Sequence, residues 1–457
     1  MSAPHQTDVT VLDGTAYEGG GGLIRYAIAF ASILNRPIRI HSIRAHRLEP
    51  GLRSEHTVAV GTMAWLTSAA LMGNQTASLD LMFSPYVHLD ARNEPLENKL
   101  DIALEGSASI FLIAMLPYLL FSRLSSKVHD IPPGPDEFEL TIRAGTLCVK
   151  APSIFYLRQV FLPTMALVGI GGNHLSIGED HEQGWHTQMQ SLPGKMTARI
   201  RALLRPLPAF TLQHRGRVQT IRATAHAPQQ DLDKFKSTLE AEMADAISQN
   251  GGVSVAIDMF PSLLDHHYHL LLVAEATAPP AFLGFEDMFP QSDVFPPTTL
   301  NGDTDGIIRH LVRACIRGLW EELRRGNPVD ENMEDMLPLY QGLAAGFSSA
   351  MTPGNHRPVP VPEFNMETPA LRDDCYKLDR SSLHRETSWW TVHQFTGLQP
   401  VTVQVEGSDQ VGCHGIGFGA EDEVGNSTAS QDRLEKRKAV TTYRSWLTPL
   451  QCRGEGG

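Results

Sequence analysis

The chain has 457 residues, a formal net charge of −13, 42% hydrophobic residues and 19% charged residues. That length can bury a sizeable core and hold two or three domains, while the acidic balance excludes a general nucleic-acid coat but not one local basic site. The most apolar run, Ser109 to Phe121, is too short for a membrane span and contains Pro117, no secretory signal opens the chain, and five scattered cysteines (Cys148, Cys315, Cys375, Cys413, Cys452) read as reduced thiols of an intracellular protein of the nucleus or cytosol.

The first stretch with evident chemistry is Asp13-Gly-Thr-Ala-Tyr-Glu18-Gly-Gly-Gly-Gly22-Leu-Ile-Arg25, running into the apolar segment Tyr26 to Leu34. Consecutive glycines let backbone N–H groups turn toward a ligand with no Cβ in the way. A helix beginning there favours an anion at its N-terminus. Glu18 can hold a divalent cation, and Arg25 can pair with a phosphate. The same residues also fit a plain turn before an amphipathic helix. No Lys follows the glycines and Ile24 stands where a last Gly is needed, so neither a P-loop nor a dinucleotide fingerprint accounts for them.

Ile38 to Ile43 alternates as a half-buried strand, and Arg36 to His56 carries five arginines against two acids, a candidate phosphate-facing surface or a solvated loop. Ser54 is placed to cap a helix from about Glu55 to Leu71. Strands are predicted over Ser78 to Phe83, Asp101 to Leu104 and Glu139 to Arg143, with helices over Ser109 to Phe121 and Ser153 to Val168. Pro132 to Pro135 and Gly169 to Gly184 read as loops. A strand at Val218 to Ala225, a helix at Asp231 to Ser248 and strands at Val253 to Ile257 and His269 to Ala276 follow, and the Pro-rich run Ala278 to Pro297 closes that unit. Helices resume at Asp305 to Arg325 and Asn332 to Ala345, Ala350 to Arg372 reads as a loop, and the segment beyond Ala420 reads as a polar tail. The fold class is therefore α/β, built of repeated strand–helix units.

Two motif readings fail on the residues. Asn301-Gly-Asp303-Thr-Asp305-Gly306 imitates half of a calcium loop, but the twelfth position is Val312, so helix capping suffices. In His266-His267-Tyr268-His269 only His267 and His269 share a strand face, too few for a metal site.

The glycine stretch resembles the opening signature of the RNA 3′-terminal phosphate cyclase family. Ile43-Arg44-Ala45-His46-Arg47-Leu48-Glu49-Pro50-Gly51-Leu52-Arg53-Ser54-Glu55-His56 is similar to that family's second block. Val329-Asp330-Glu331-Asn332-Met333-Glu334-Asp335 is similar to a nucleotide-holding segment, and Leu383-His384-Arg385-Glu386-Thr387-Ser388 to the active-site segment. The resemblance implies three repeated units forming a large domain (1–215 and 301–420), with a smaller α/β domain (216–300) inserted and a tail at 421–457. It implies His384 as the nucleophile that takes AMP from ATP, and Glu18, Gly20, Gly21, Arg25, Arg44, Arg47 and Asp335 around the nucleotide. Glu18 is also the expected ligand of Mg²⁺, and RNA 3′ ends are the expected substrate.

The chain departs from the family at Gly22 and Glu55, where glutamines are usual, at Ile113, and at shortened Gly segments near Gly106 and Gly194. Those departures keep a second reading in view, a non-catalytic relative that works with ribosome-assembly or RNA-processing factors. Enolpyruvyl transfer on a related fold is a third reading, and the His384 and Arg44–Arg47 segments count against it. No membrane partner is expected.

Overall fold

The computed structural model describes residues 9–89, 96–187, 190–212, 215–247, 253–290, 303–351, 383–405 and 408–420. Strand β1 (Thr10–Asp13) leads through the glycine turn into α1 (Gly21–Leu34), and β2 (Ile38–His41), α2 (Ser54–Thr67), β3 (Ala70–Met72) and β4 (Leu81–Ser84) complete a first unit. Its sheet order is β1-β2-β4-β3, with β1 parallel to β2 and the other pairs antiparallel. The helix expected to run to Leu71 stops at Thr67, because Ser68 turns left-handed and Ala70 to Met72 pair with β4. Tertiary pairing overrides helical periodicity there.

A second unit repeats the plan. It runs through β5 (Lys99–Ser107), α3 (Ala108–His129), β6 (Glu137–Gly145), β7 (Leu147–Cys148), α4 (Ile154–Tyr156), a π turn (Leu157–Phe161) and α5 (Leu162–Leu167). Strands β8 (Leu175–Ile177), β9 (Trp185–His186), β10 (Ser191–Leu192) and β11 (Gly194–Arg201) follow, and β8 interrupts what the sequence reads as one long loop. The sheet order β5-β6-β11-β8, with β5 parallel to β6, has the topology of the first sheet. Helix α3 continues past the expected Phe121 to His129, and it is long and apolar enough to cross a membrane. Some 89% of its most apolar window is buried inside the protein, which marks it as a core helix.

The chain then folds β12 (Arg217–Ala227), α6 (Leu232–Ile247), β13 (Ser254–Pro261), β14 (Tyr268–Thr277), β15 (Ala281–Phe289) and α7 (Thr304–Arg325). Their sheet has the order β13-β12-β14-β15, so its first strand, β12, is central between parallel β13 and antiparallel β14, whereas the first strand of each of the first two sheets lies at the edge. Alternation along β14 explains its continuous apolar run. Leu270, Leu272 and Ala274 join a second core with α6 and α7, while Leu271 and Val273 join the main core. One expectation changes here. The Pro-rich run contains strand β15, because Ala281 to Phe289 holds no proline and alternates against β14. Ile308, Leu311, Cys315 and Leu319 of α7 complete the second core.

The third unit is formed by α8 (Glu331–Leu343), β16 (Ala345–Met351), α9 (Leu383–Thr396), β17 (Val401–Val405) and β18 (Ser408–Ile416). Its sheet order is β16-β18-β17, and bridges Pro208↔Ala345 and Thr211↔Ser349 lay residues 208–211 parallel beside β16. Counting that edge, the plan is again that of the first two units, with β12 to α7 spliced between the edge strand and α8. The loop expected from Ala350 to Arg372 begins inside β16, which runs to Met351, and the rest of it and the expected tail from 421 lie outside the described residues.

Helix α1 is central. Phe30 stacks on Phe395 of α9 with ring centroids 5.2 Å apart, and both side chains are fully buried. Burying each ring stabilises by about 1.5–3 kcal/mol, more than the roughly 0.5–1.5 kcal/mol of one hydrogen bond, so apolar packing is what docks α9 onto α1. That docking joins two segments far apart in sequence at the same place.

Candidate active site

The site begins where β1 ends. The Asp13 carboxylate accepts hydrogen bonds from the Thr15 N–H at 3.0 Å and its hydroxyl at 2.8 Å, closing the first bend. Gly14 N–H donates to the His41 carbonyl at 2.8 Å, and a Cβ on Gly14 would meet Ile43 Cα at 2.7 Å. The chain then passes through positive φ at Tyr17 (52°) and Gly19 (57°) before Gly20 opens α1 with no side-chain cap. A Cβ on Gly20 would overlap the Glu18 carboxylate, and one on Gly21 would overlap His56 Nε2. The uncapped N–H groups of the first turn and the absent Cβ atoms leave a cradle suited to phosphate oxygens.

Gly22 differs from its neighbours. A Cβ there lies 3.6 Å or more from any other atom, in ordinary contact. We expect Gly22→Ala to raise stability by about 0.5–1 kcal/mol through helix propensity, and Gly21→Ala to displace His56 and destabilise the turn. Thermal unfolding of the two variants, shifting in opposite directions, checks this.

Glu18 is the hub. Its Oε1 accepts from Arg47 Nη2 at 2.5 Å, the same guanidinium donates to its carbonyl at 2.7 Å, and its Oε2 faces His384 Nδ1 at 3.4 Å. Its N–H donates to Thr387 Oγ1 at 3.2 Å, so one residue carries four contacts, two to the basic loop and two to α9. Burial alone would raise the Glu18 pKa, but the contact with His384 and the charges of His384, Arg47 and Arg25 prevail and hold it below the usual range. His384 is raised above the ordinary imidazole value, first by Glu18 contact against opposing burial, then by the charges of Glu18 and Asp335. With Nδ1 turned to the carboxylate, Nε2 is the nitrogen left to react with a substrate.

Helix α8 supports this from below. The Asp335 carbonyl accepts from Tyr26 Oη at 2.8 Å and Ser388 Oγ at 2.7 Å, joining α1, α8 and α9 at one oxygen, and the Asp335 charge acts on both His384 and Tyr26. Arg25 lies beside Gly21 and Gly22, and its Nε is buried with no hydrogen-bond partner among the described residues. Glu18, Gly20, Gly21, Arg25, Arg47, Asp335 and His384 thus meet in one place. Arg44 lies just behind this group, where its charge acts on His56. It is buried at positive φ (51°) and donates to the Gly51 carbonyl at 2.8 Å, so its contact braces the basic loop.

His56 is the residue that sequence reasoning left without a role. Its Nδ1 accepts from the Arg53 N–H at 3.1 Å, which fixes the proton on Nε2, and Nε2 faces Gly21. Burial and the charges of Arg25, Arg44 and Arg53 push its pKa down to about 3, so it stays a neutral donor at any working pH. Its place at the end of the Pro50-Gly51-Leu52 block was the available signal. This bond from Arg53 also puts the N-cap of α2 at Arg53, one residue before the expected Ser54. Glu55, 4.0 Å from His56 Nε2, packs against Gly106, and Ile113 is buried within α3.

The rejected motifs have ordinary explanations. Asp303 Oδ1 accepts from the Gly306 N–H at 3.0 Å and caps α7. His267 packs on Trp185, and His269 pairs with Glu286 at 2.9 Å. No group of three or more His, Cys, Asp or Glu suited to a metal occurs among the described residues.

A sequence model of the family described as RNA 3′-terminal phosphate cyclase matches residues 16–401. The chain belongs to the RNA 3′-terminal phosphate cyclase family. A cyclase of Staphylothermus marinus is 28% identical over 351 residues, 75% of this chain and 87% of that protein. One from Sulfolobus acidocaldarius is 33% identical over 344 residues, covering 74% of this chain and 89% of that protein. A probable RNA 3′-terminal phosphate cyclase of Dictyostelium discoideum is 26% identical over 342 residues, covering 75% and 72%. The matched span contains the Glu18 turn, the basic loop, Asp335 and His384, so this family member holds its candidate site within the region it shares with the family.

Proposed function

We propose that the chain uses ATP to convert an RNA 3′-terminal phosphate into a 2′,3′-cyclic phosphate, with His384 as the nucleophile. The observation that carries this reading is His384 Nδ1 held 3.4 Å from Glu18 Oε2 beside an uncapped helix N-terminus. His384 Nε2 attacks the α-phosphorus, a P–N bond forms, the bond to pyrophosphate breaks, and pyrophosphate leaves. An oxygen of the RNA 3′-phosphate next attacks the adenylyl phosphorus and frees His384. The vicinal 2′-OH then closes on the 3′-phosphorus, and AMP departs. Arg25, the N–H groups of α1 and the neutral His56 donor stabilise charge on the phosphates, the usual protein share of transfer at phosphorus.

Mg²⁺ fits one way only. Glu18 Oε2 is buried and faces His384 Nδ1 at 3.4 Å, and no group of three or more His, Cys, Asp or Glu surrounds it among the described residues. That donor set suits an ion held by one carboxylate together with phosphate oxygens and water. When bound, the ion supplies positive charge to the phosphates.

Because the His384 pKa is raised by Glu18, the imidazolium, which cannot attack, persists to higher pH than it would in free histidine. The rate of adenylyl transfer should therefore rise with pH through a midpoint above that of free histidine. Glu18→Gln should move the midpoint downward, and a pH profile of single-turnover transfer measures both. His56 remains neutral throughout and contributes no inflection.

Glu55 favours the second reading, a non-catalytic relative that binds RNA in ribosome assembly, because it brings a carboxylate to within 4.0 Å of the His56 donor. Incubating a 3′-phosphorylated RNA with ATP and Mg²⁺ separates the two. An end that resists phosphatase and opens in mild acid supports the enzyme. Unchanged ends on RNA that binds tightly support the assembly protein.

A further inference from the structure

Arg385 follows His384 directly, and its Nη1 donates to Glu334 Oε2 at 3.0 Å. Glu334, on α8, has a side chain only 1% exposed. Its carboxylate collects donors from separate segments: Arg385 of α9, Nη2 of Arg325 at 2.5 Å, and Asn327 Nδ2 on Oε1. Arg325 ends α7, whose apolar face lies in the second core, and it also donates to Glu322 at 2.9 Å. A buried carboxylate must have charged partners, but it need not take one from the residue beside the nucleophile.

The His384 side chain is 55% exposed, so packing does not fix it. Two of the contacts on its turn, from Nδ1 and from Thr387 Oγ1, end on Glu18. Glu18 is the residue that meets the incoming phosphates, so these contacts are disturbed when substrate binds. The Arg385–Glu334 pair holds the same turn without passing through Glu18.

We propose that Glu334 is a positioning residue, gripping Arg385 so that the first turn of α9 keeps His384 against Glu18. This rests on the reading of His384 as the nucleophile for its consequence in catalysis. A misplacement of about 1 Å at a reacting atom costs on the order of 10²-fold in rate, which is the scale of effect at stake.

The test uses the full chain and follows the His384 ring through a pH titration by NMR, its signal assigned by loss in His384→Asn. Glu334→Gln and Arg385→Met change the local charge in opposite senses. A direct field effect would lower the His384 midpoint in the first and raise it in the second. Lost positioning lowers it in both, toward free imidazole, because Glu18 contact holds the imidazolium; Arg385→Lys should restore part of the shift. Midpoints unchanged, or moved in opposite directions, overturn the proposal.

A second readout is single-turnover labelling with α-labelled ATP. We expect a loss of at least tenfold in rate in both variants, with half-saturating ATP within threefold of wild type. If wild type takes no label while both midpoints fall, the nucleophile reading fails and the positioning role stands. Label in wild type, with unmoved midpoints and rates in the variants, removes the positioning role and keeps the reaction. Should Glu334→Gln fail to fold, Arg385→Met carries both readouts, since it leaves Glu334 paired with Arg325 and Asn327.

Discussion

Replacing Glu18 by Ala lowers adenylyl transfer by about 10²–10³-fold, the scale seen when one preorganised electrostatic group is lost from an active site. The residue acts in several ways at once. It orients His384 through Oε2 and holds Arg47 through Oε1 and its main-chain carbonyl. Glu18→Gln keeps the shape and the Arg47 contact to the carbonyl, so it should retain more activity than Glu18→Ala. Single-turnover rates for the three proteins check the order. Equal rates in wild type and Glu18→Ala would remove Glu18 from the site.

Asp330→Ala should destabilise the chain by about 3–5 kcal/mol, the cost of stranding several buried donors at once. The Asp330 carboxylate accepts from Tyr156 Oη at 2.6 Å, the Gly284 N–H at 2.7 Å and the Met333 N–H at 3.0 Å. Those donors come from α4, β15 and α8, so one side chain ties the second unit, the spliced sheet and the third unit together. Burial pushes its pKa up to about 6, and the three hydrogen bonds keep it from rising further. Denaturant unfolding with an unchanged slope would report a pure stability loss, and a cost below about 1 kcal/mol would contradict the network.

The turn and the first helix were legible in the sequence because their cause is local. Glycines 19–22 precede an apolar stripe, and both the cradle and α1 follow from that order. The segment around His384 was legible only through family resemblance, since a histidine near a helix start has no local mark of reactivity. What brings it to Glu18 is the burial of Phe395 against Phe30, a contact between distant segments that periodicity cannot display. Arg44 shows a different limit. Its residue type suggested a phosphate contact, but no local pattern could show that its left-handed backbone and its bond to the Gly51 carbonyl also brace the basic loop. His56 was hidden because a buried histidine and a site histidine look alike until the Arg53 N–H fixes its tautomer. Strand β15 was lost among prolines that flank it, and the packing of α7 in the second core was not legible because sequence order does not reveal which face of a sheet a helix covers.

The central claim is that His384 takes AMP onto Nε2. Incubation with α-labelled ATP and Mg²⁺, denaturing separation and brief acid treatment test it most directly. The account predicts an acid-labile label on wild type that is absent from folded His384→Ala. Label that survives acid, or persists in His384→Ala, would contradict it, as would wild type that binds RNA and stays unlabelled across several divalent metals.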